Sequence, residues 1–125
     1  MLTTTEALHF VVDTGCSRNL MSRSDLPKGA EITNLEHPIT YRTANGLVTA
    51  TQEAKFIGQV QDHQGRRHRY RHRTCVVPTR CASLFSVGSA DGFCSSGNQA
   101  QLNLEGDIIP LQPHKEGMWT LPVFR

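Results

Sequence analysis

The spacing of apolar and polar positions breaks this chain into short strands separated by turn residues. In "ALHFVVD", residues 7–13, Leu8, Phe10, Val11 and Val12 form a nearly continuous apolar run. Such a run predicts a strand buried on both faces, and it stops at Asp13. "SRSDLPKGAE" has turn chemistry around Pro27 and Gly29 and room for one short helical turn at most. "ITYRTANGLVTA" places two β-prone runs on either side of Asn45-Gly46, which predicts a hairpin tip near residue 45 because both residues tolerate positive φ.

A further strand is expected from Thr51 to Val60, and "DHQG" closes a second hairpin at Asp62–Gly65, spanning about 54–78 in all. In its returning arm the residues alternate: Arg67, Arg69, Arg71 and Arg73 share one face, while His68, Tyr70, His72 and Thr74 share the other. Pro78 ends the arm. "CASLFSVGSADGF" predicts an apolar segment leading into a short helix over Ser86–Asp91, with Gly92 as its C-cap. "NQAQLNL", "DIIPLQ" and "MWTLPVF" then read as three closing strands. The expectation is an all-β fold with one short helix.

Composition narrows this picture in four ways. At 125 residues the chain is expected to form a single domain, 1–125, with a modest core, and its 10 Gly and 6 Pro suit a sheet with frequent turns. The formal charge of +2 is nearly neutral, but five of the 13 Lys and Arg crowd into "GRRHRYRHR". The start lacks a basic segment followed by an apolar one, and no run approaches membrane-spanning length, so a soluble, intracellular, cytoplasmic protein without a membrane partner is expected. The four cysteines, Cys16, Cys75, Cys81 and Cys94, lack the tight spacing of a disulfide scaffold and are expected to be reduced.

The strongest candidate chemistry lies at Asp13-Thr14-Gly15. A carboxylate at the end of a buried strand sits on a rigid support in a low local dielectric. Gly15 allows a sharp turn and a close backbone approach. Thr14 offers a hydroxyl that can lock the carboxylate in place. If such a group faces a second carboxylate about 3 Å away, the two share one proton, because both cannot ionise.

The order of the surrounding segments carries a resemblance. "FVVDTGCSRNLMS", "YRTANGLVTA", "VVPTRCASLFSVGSADGF" and "GDIIPLQPHKEGMWTLP" together resemble the retroviral-type aspartic proteases, and within them the proteases of copia-type LTR retrotransposons. Copia-type members commonly have Ser at the position of Thr14 and a small residue such as Ala at that of Cys16. The resemblance implies a retropepsin-like closed β-barrel of acid-protease type. It makes Asp13 the catalytic aspartate, with Thr14 and Gly15 as its supporting loop. The hairpin at about 39–51 becomes a flap whose Thr43, Ala44, Asn45, Gly46 and Leu47 close over a bound peptide. Leu84, Phe85 and Ser86 become a turn beneath the active-site loop.

Asp91 precedes Gly-Phe and Asp107 precedes Ile-Ile, so the chain holds one Asp-Thr-Gly. The resemblance therefore implies an obligate C2 homodimer that pools two Asp13 carboxylates, with no metal or organic cofactor. Its implied substrate is a polypeptide, the element's own Gag-Pol polyprotein, cut in the cytoplasm or within virus-like particles. The closing strand, with Trp119 and Phe124, is a candidate for intersubunit pairing or for packing within the chain.

Four other readings compete. His68, His72, Cys75 and Cys81 invite zinc, but in a strand Cys75 falls on the face opposite the two histidines, so no metal site is expected. Cys16 is read as a small residue filling a corner rather than a reactive thiol. Arg67, Arg69, Arg71 and Arg73 are candidate nucleic-acid contacts, a weak RNA interaction in which His68, Tyr70 and His72 would stack on bases; a solvated face is the alternative. A non-catalytic dimeric interaction module would keep the fold without turnover.

Overall fold

The computed structural model describes residues 7–15, 18–43 and 46–124. Among the described residues eleven strands run in chain order: β1 (Leu8–Asp13), β2 (Leu20–Ser22), β3 (Glu31–Thr43), β4 (Gly46–Gln61), β5 (Arg67–Val77), β6 (Leu84–Ser86), β7 (Gly92–Ser96), β8 (Gln99–Leu104), β9 (Asp107–Pro110), β10 (Gln112–Pro113) and β11 (Trp119–Val123). Eight form one mixed sheet in the order β10-β11-β1-β6-β2-β5-β4-β3, and β7-β8-β9 form a second, antiparallel sheet. Helical structure among the described residues is confined to three-residue 3-10 turns at Arg23–Asp25, Val87–Ser89 and Lys115–Gly117. None of it is long and apolar enough to cross a membrane.

The protein is thus mostly β, as the apolar spacing implies, but the expected closed barrel is not formed. The large sheet is open, with β10 and β3 at its two edges. It curls enough for the chain end to touch β4. Gln59 and Phe124 exchange two backbone hydrogen bonds, of 2.9 and 2.7 Å. That contact stays an isolated bridge and does not grow into a ladder. Gly58 beside it has no room for a side chain, because a Cβ there would stand 2.8 Å from Val123 Cγ1 and 2.9 Å from Tyr70 Cε1.

The short helix expected over Ser86–Asp91 is also absent. Ser86 belongs to β6, Val87–Ser89 make a single 3-10 turn, and Gly92 opens β7 instead of capping a helix. The Ser86 side chain caps this turn by accepting the Gly88 amide at 3.3 Å, but the backbone is already extended at Ala90, so no second turn follows. Two residues past the turn, the Asp91 amide donates to the Asn103 carbonyl at 2.8 Å and draws the chain into the smaller sheet.

β1 lies in the middle of the large sheet, antiparallel to β11 and parallel to β6. Phe10 and Val12 are buried, but Val11 is only half-buried and His9 is exposed. The strand is therefore covered on one face within the chain, not on both. Phe10, Met21, Val60, Tyr70, Phe85, Leu102, Ile109 and Leu121 join in a core fed by both sheets. A smaller cluster of Leu20, Tyr41, Ala50, Cys75 and Val77 packs where the β3–β4 hairpin meets β2 and β5.

The two expected hairpins form, and the first is much longer than the segment about 39–51 suggested. β3 and β4 pair from Glu31↔Lys55 to Thr43↔Gly46, with the register shifting between Asn34 and Ile39. Pro38 lies in that shift, where its missing N–H interrupts no ladder bond. In the second hairpin, Asp62 Oδ1 accepts the amides of Gln64 and Arg66, both at 2.9 Å, which fixes the turn before β5 begins. The closing strand packs within the chain: β11 has β1 on one side and β10 on the other.

Candidate active site at the end of the first strand

Asp13 ends β1 with Ser86 beside it in parallel register, after the pairs Val11↔Leu84 and Val12↔Phe85. On its other side β1 is held by β11 up to Val12↔Trp119. The carboxylate is half-buried, and its Oδ1 accepts the Gly15 amide at 2.8 Å, the usual way an Asp closes a turn on its own loop. Among the described residues Oδ2 has no protein partner. One oxygen is thus fixed by the loop and the other is open to a proton, a water or a second carboxyl.

Thr14 and Gly15 are exposed, and among the described residues the Thr14 hydroxyl has no partner. A Cβ on Gly15 would meet only Asp13 Oδ1, at an ordinary 3.5 Å. Among the described residues nothing therefore crowds this glycine. Cys16 lies outside the described residues.

Asn19, which the sequence reading passed over, organises the far end of this loop. It is buried, and its Oδ1 accepts the Ser86 amide at 2.7 Å and the Ser89 hydroxyl at 3.2 Å. Its Nδ2 donates to the Arg73 carbonyl at 2.9 Å. Its own carbonyl accepts the Cys75 amide at 3.0 Å and the Tyr41 hydroxyl at 3.4 Å. One side chain with both donor and acceptor thus ties the loop to β6 and β5, while its backbone reaches β3. The only sequence signal was an Asn directly ahead of the apolar pair Leu20-Met21.

The other residues implied by resemblance fall in two places. Leu84 is half-buried against the smaller cluster, and Phe85 is 1% exposed in the main core, so Phe85 supports β1 from within. Gly46 (φ 111°) and Leu47 (68% exposed) stand at the end of the β3–β4 hairpin. Ala44, Asn45 and the side chain of Thr43 lie outside what is described.

The arginine arm keeps its predicted alternation. Arg67, Arg69, Arg71 and Arg73 are exposed, whereas Tyr70, His72 and Thr74 are buried. Arg73 is held by Glu53, with Nε and Nη2 at 3.0 and 3.1 Å from its two oxygens, and Arg67 lies 4.0 Å above the Phe124 ring.

Two of the three rings between the arginines, Tyr70 and His72, are buried and cannot stack on bases, a correction to the expectation from sequence. His72 sits among Phe10, Phe56, Tyr70 and Phe85, with ring centroids 4.8 to 5.9 Å away. His72 Nδ1 shares a 2.8 Å hydrogen bond with the Tyr70 hydroxyl, while Nε2 has no partner among the described residues. Burial pushes the His72 pKa down to about 4 and raises that of Tyr70. His68 is clamped between two carboxylates, Nε2 at 2.7 Å from Asp62 and Nδ1 at 3.3 Å from Asp107.

The residues weighed for zinc do not meet. His72 belongs to the main core, Cys75 to the smaller cluster, and Cys81 only packs against the latter, its thiol pKa raised by burial and then by Asp25. Among the described residues no three His, Cys, Asp or Glu side chains converge on one point.

No protein-family model matches the chain, and no curated protein or solved structure matches it either.

Proposed function

We propose that this protein is an aspartic endopeptidase of the retropepsin-like, copia-type kind, working as a two-fold dimer in which each copy supplies one Asp13. The observation that carries the reading is the setting of Asp13: a half-buried carboxylate at the end of a mid-sheet strand, one oxygen bonded to the Gly15 amide and the other without a protein partner among the described residues. On this reading the curled but open sheet, with its long projecting hairpin, is one half of an acid-protease fold.

In the proposed reaction a water held between two Asp13 carboxyls loses a proton to the ionised one as its oxygen attacks the scissile carbonyl carbon. The protonated partner donates to the carbonyl oxygen. The tetrahedral intermediate then collapses, the C–N bond breaks, and a proton moves to the leaving nitrogen. No electrons are exchanged with an outside reagent. An extended substrate pairs its main chain with sheet-like walls while the β3–β4 hairpins exclude other water. The preferred substrate is the parent polyprotein, cut in the cytoplasm or in a particle assembled there. The pH profile belongs to the pair, not to either Asp13 alone.

The test is incubation of the purified chain with a mixed peptide library, with and without pepstatin, over a dilution series. Inhibitable cleavage whose specific activity falls steeply on dilution supports the reading. Cleavage that stays proportional to enzyme concentration in a strictly single-chain preparation refutes it.

A further inference from the structure

The outer face of the β4–β5 hairpin has no part in the peptidase reading and is built differently from the rest of the surface. The cross-strand pairs Gln61↔Arg67, Gln59↔Arg69, Ile57↔Arg71 and Lys55↔Arg73 lie on it. Lys55, Ile57 and all four arginines are exposed, and every residue that alternates with the arginines from Tyr70 to Thr74 is buried. The cations therefore stand on a strand whose other face is packed, which keeps their spacing fixed. Positions two apart on a strand are about 7 Å apart, so Arg67, Arg69 and Arg71 span about 14 Å in a line. The acids on this face gather at one end, where Glu53 holds Arg73 and Glu31 lies opposite Lys55. Among the described residues Arg69 and Arg71 have no carboxylate partner, which leaves the turn end of the stripe uncompensated.

We propose that this stripe binds the sugar–phosphate backbone of single-stranded nucleic acid, with Arg69 and Arg71 at its centre, Arg67 and Lys55 flanking, and Arg73 largely spent on Glu53. Three features select this partner. The charged groups of the arm are all guanidinium, which donates two parallel hydrogen bonds to a phosphate where an ammonium offers a point charge. Gln59 stands across from Arg69 and adds a neutral donor along the same track, while the Gln61 amide across from Arg67 donates to the Gly65 carbonyl at 3.2 Å. An acidic peptide would lie on a sheet face with no free backbone groups to pair with, whereas a nucleic acid carries its charge in the backbone itself. Because Tyr70 and His72 turn into the core, the face offers no stacking platform. Binding is therefore indifferent to base identity.

The experiment is fluorescence anisotropy of the whole chain with labelled 20-nucleotide oligouridylate and oligoadenylate across a salt series. Four phosphate contacts give a slope of log K against log salt of about −3. The double variant Arg69→Gln/Arg71→Gln should lower affinity at least tenfold at low salt and flatten the slope by about 1.4, since each lost contact removes about 0.7. Arg73→Gln should change little, and both oligonucleotides should bind within a few-fold of each other. Arg69 and Arg71 are exposed, so unchanged melting and unchanged peptide cleavage by the double variant separate this face from the Asp13 site. No binding at low salt, equal binding by the double variant, or equally tight binding of an oligoglutamate of matching charge would each overturn the proposal.

Discussion

The Asn19 side chain meets the Ser86 backbone at 2.7 Å, and this bond anchors the loop behind Asp13 to the strand beside Asp13. Both groups are buried, so the bond cannot be exchanged for water without rearrangement. Asn19→Ala would remove the acceptor of the Ser86 amide and the donor to the Arg73 carbonyl together. The expected loss is about 2–4 kcal/mol of unfolding free energy, from one to two buried polar groups left unpaired. Urea denaturation measures it, and a loss within 0.5 kcal/mol of zero, roughly the range of neutral surface changes, would remove Asn19 from this role.

Asp13→Asn separates chemistry from architecture. The amide keeps an oxygen that can accept from Gly15, so the turn should survive and the melting temperature should change little. The charge and the shared proton are lost, so peptide cleavage should fall to background. A variant that still cuts would remove Asp13 from the reaction.

Buried His72 makes stability depend on pH with a definite sign. Its folded pKa, about 4, lies below the ordinary 6.5, because burial disfavours the imidazolium. Below pH 6.5 the unfolded chain therefore takes up a proton that the folded chain refuses. Stability from this group is complete above about pH 6.5 and declines as the pH falls toward about 4, by up to about 3 kcal/mol. His72→Phe, which keeps the ring among Phe10, Phe56 and Phe85, should flatten that decline between pH 6.5 and 4.5 in denaturant titrations. An unaltered slope would assign it to other groups.

Gly58 makes a steric prediction. An alanine Cβ would press on Val123 and Tyr70 at under 3 Å, so Gly58→Ala should destabilise by about 1–3 kcal/mol, as overpacking does. It should also loosen the Gln59–Phe124 bridge, read as faster amide exchange at those two residues. Unchanged protection would mean that the chain end is held elsewhere.

The turn at Asp62 gives a local check. Asp62 Oδ1 accepts two amides and Oδ2 meets His68, and chiefly the His68 bond keeps its carboxyl below the usual range. That contribution is present above the ordinary value of 3.8 and fades as the pH falls through the lower folded value. Asp62→Ala should speed hydrogen exchange at Gln64 and Arg66 while leaving Leu102 and Leu121 protected. Uniform acceleration across the core would contradict a local role.

The sequence by itself determined β1, both hairpins, the closing strands and the division of β5 into an arginine face and a face of His68, Tyr70, His72 and Thr74, because a period of two follows directly from side chains alternating across a pleated strand. It also marked Asp13 as the end of β1, since an apolar run stops there. Only the tertiary structure decided that the sheet stays open, that the segment after β6 turns once instead of forming a helix, and that Tyr70 and His72 lie inside the core. It alone revealed Asn19, whose partners on β6, β5 and the turn after β6 lie 54 to 70 residues away along the chain. Contacts of that kind depend on which strands become neighbours, and local spacing carries no record of them.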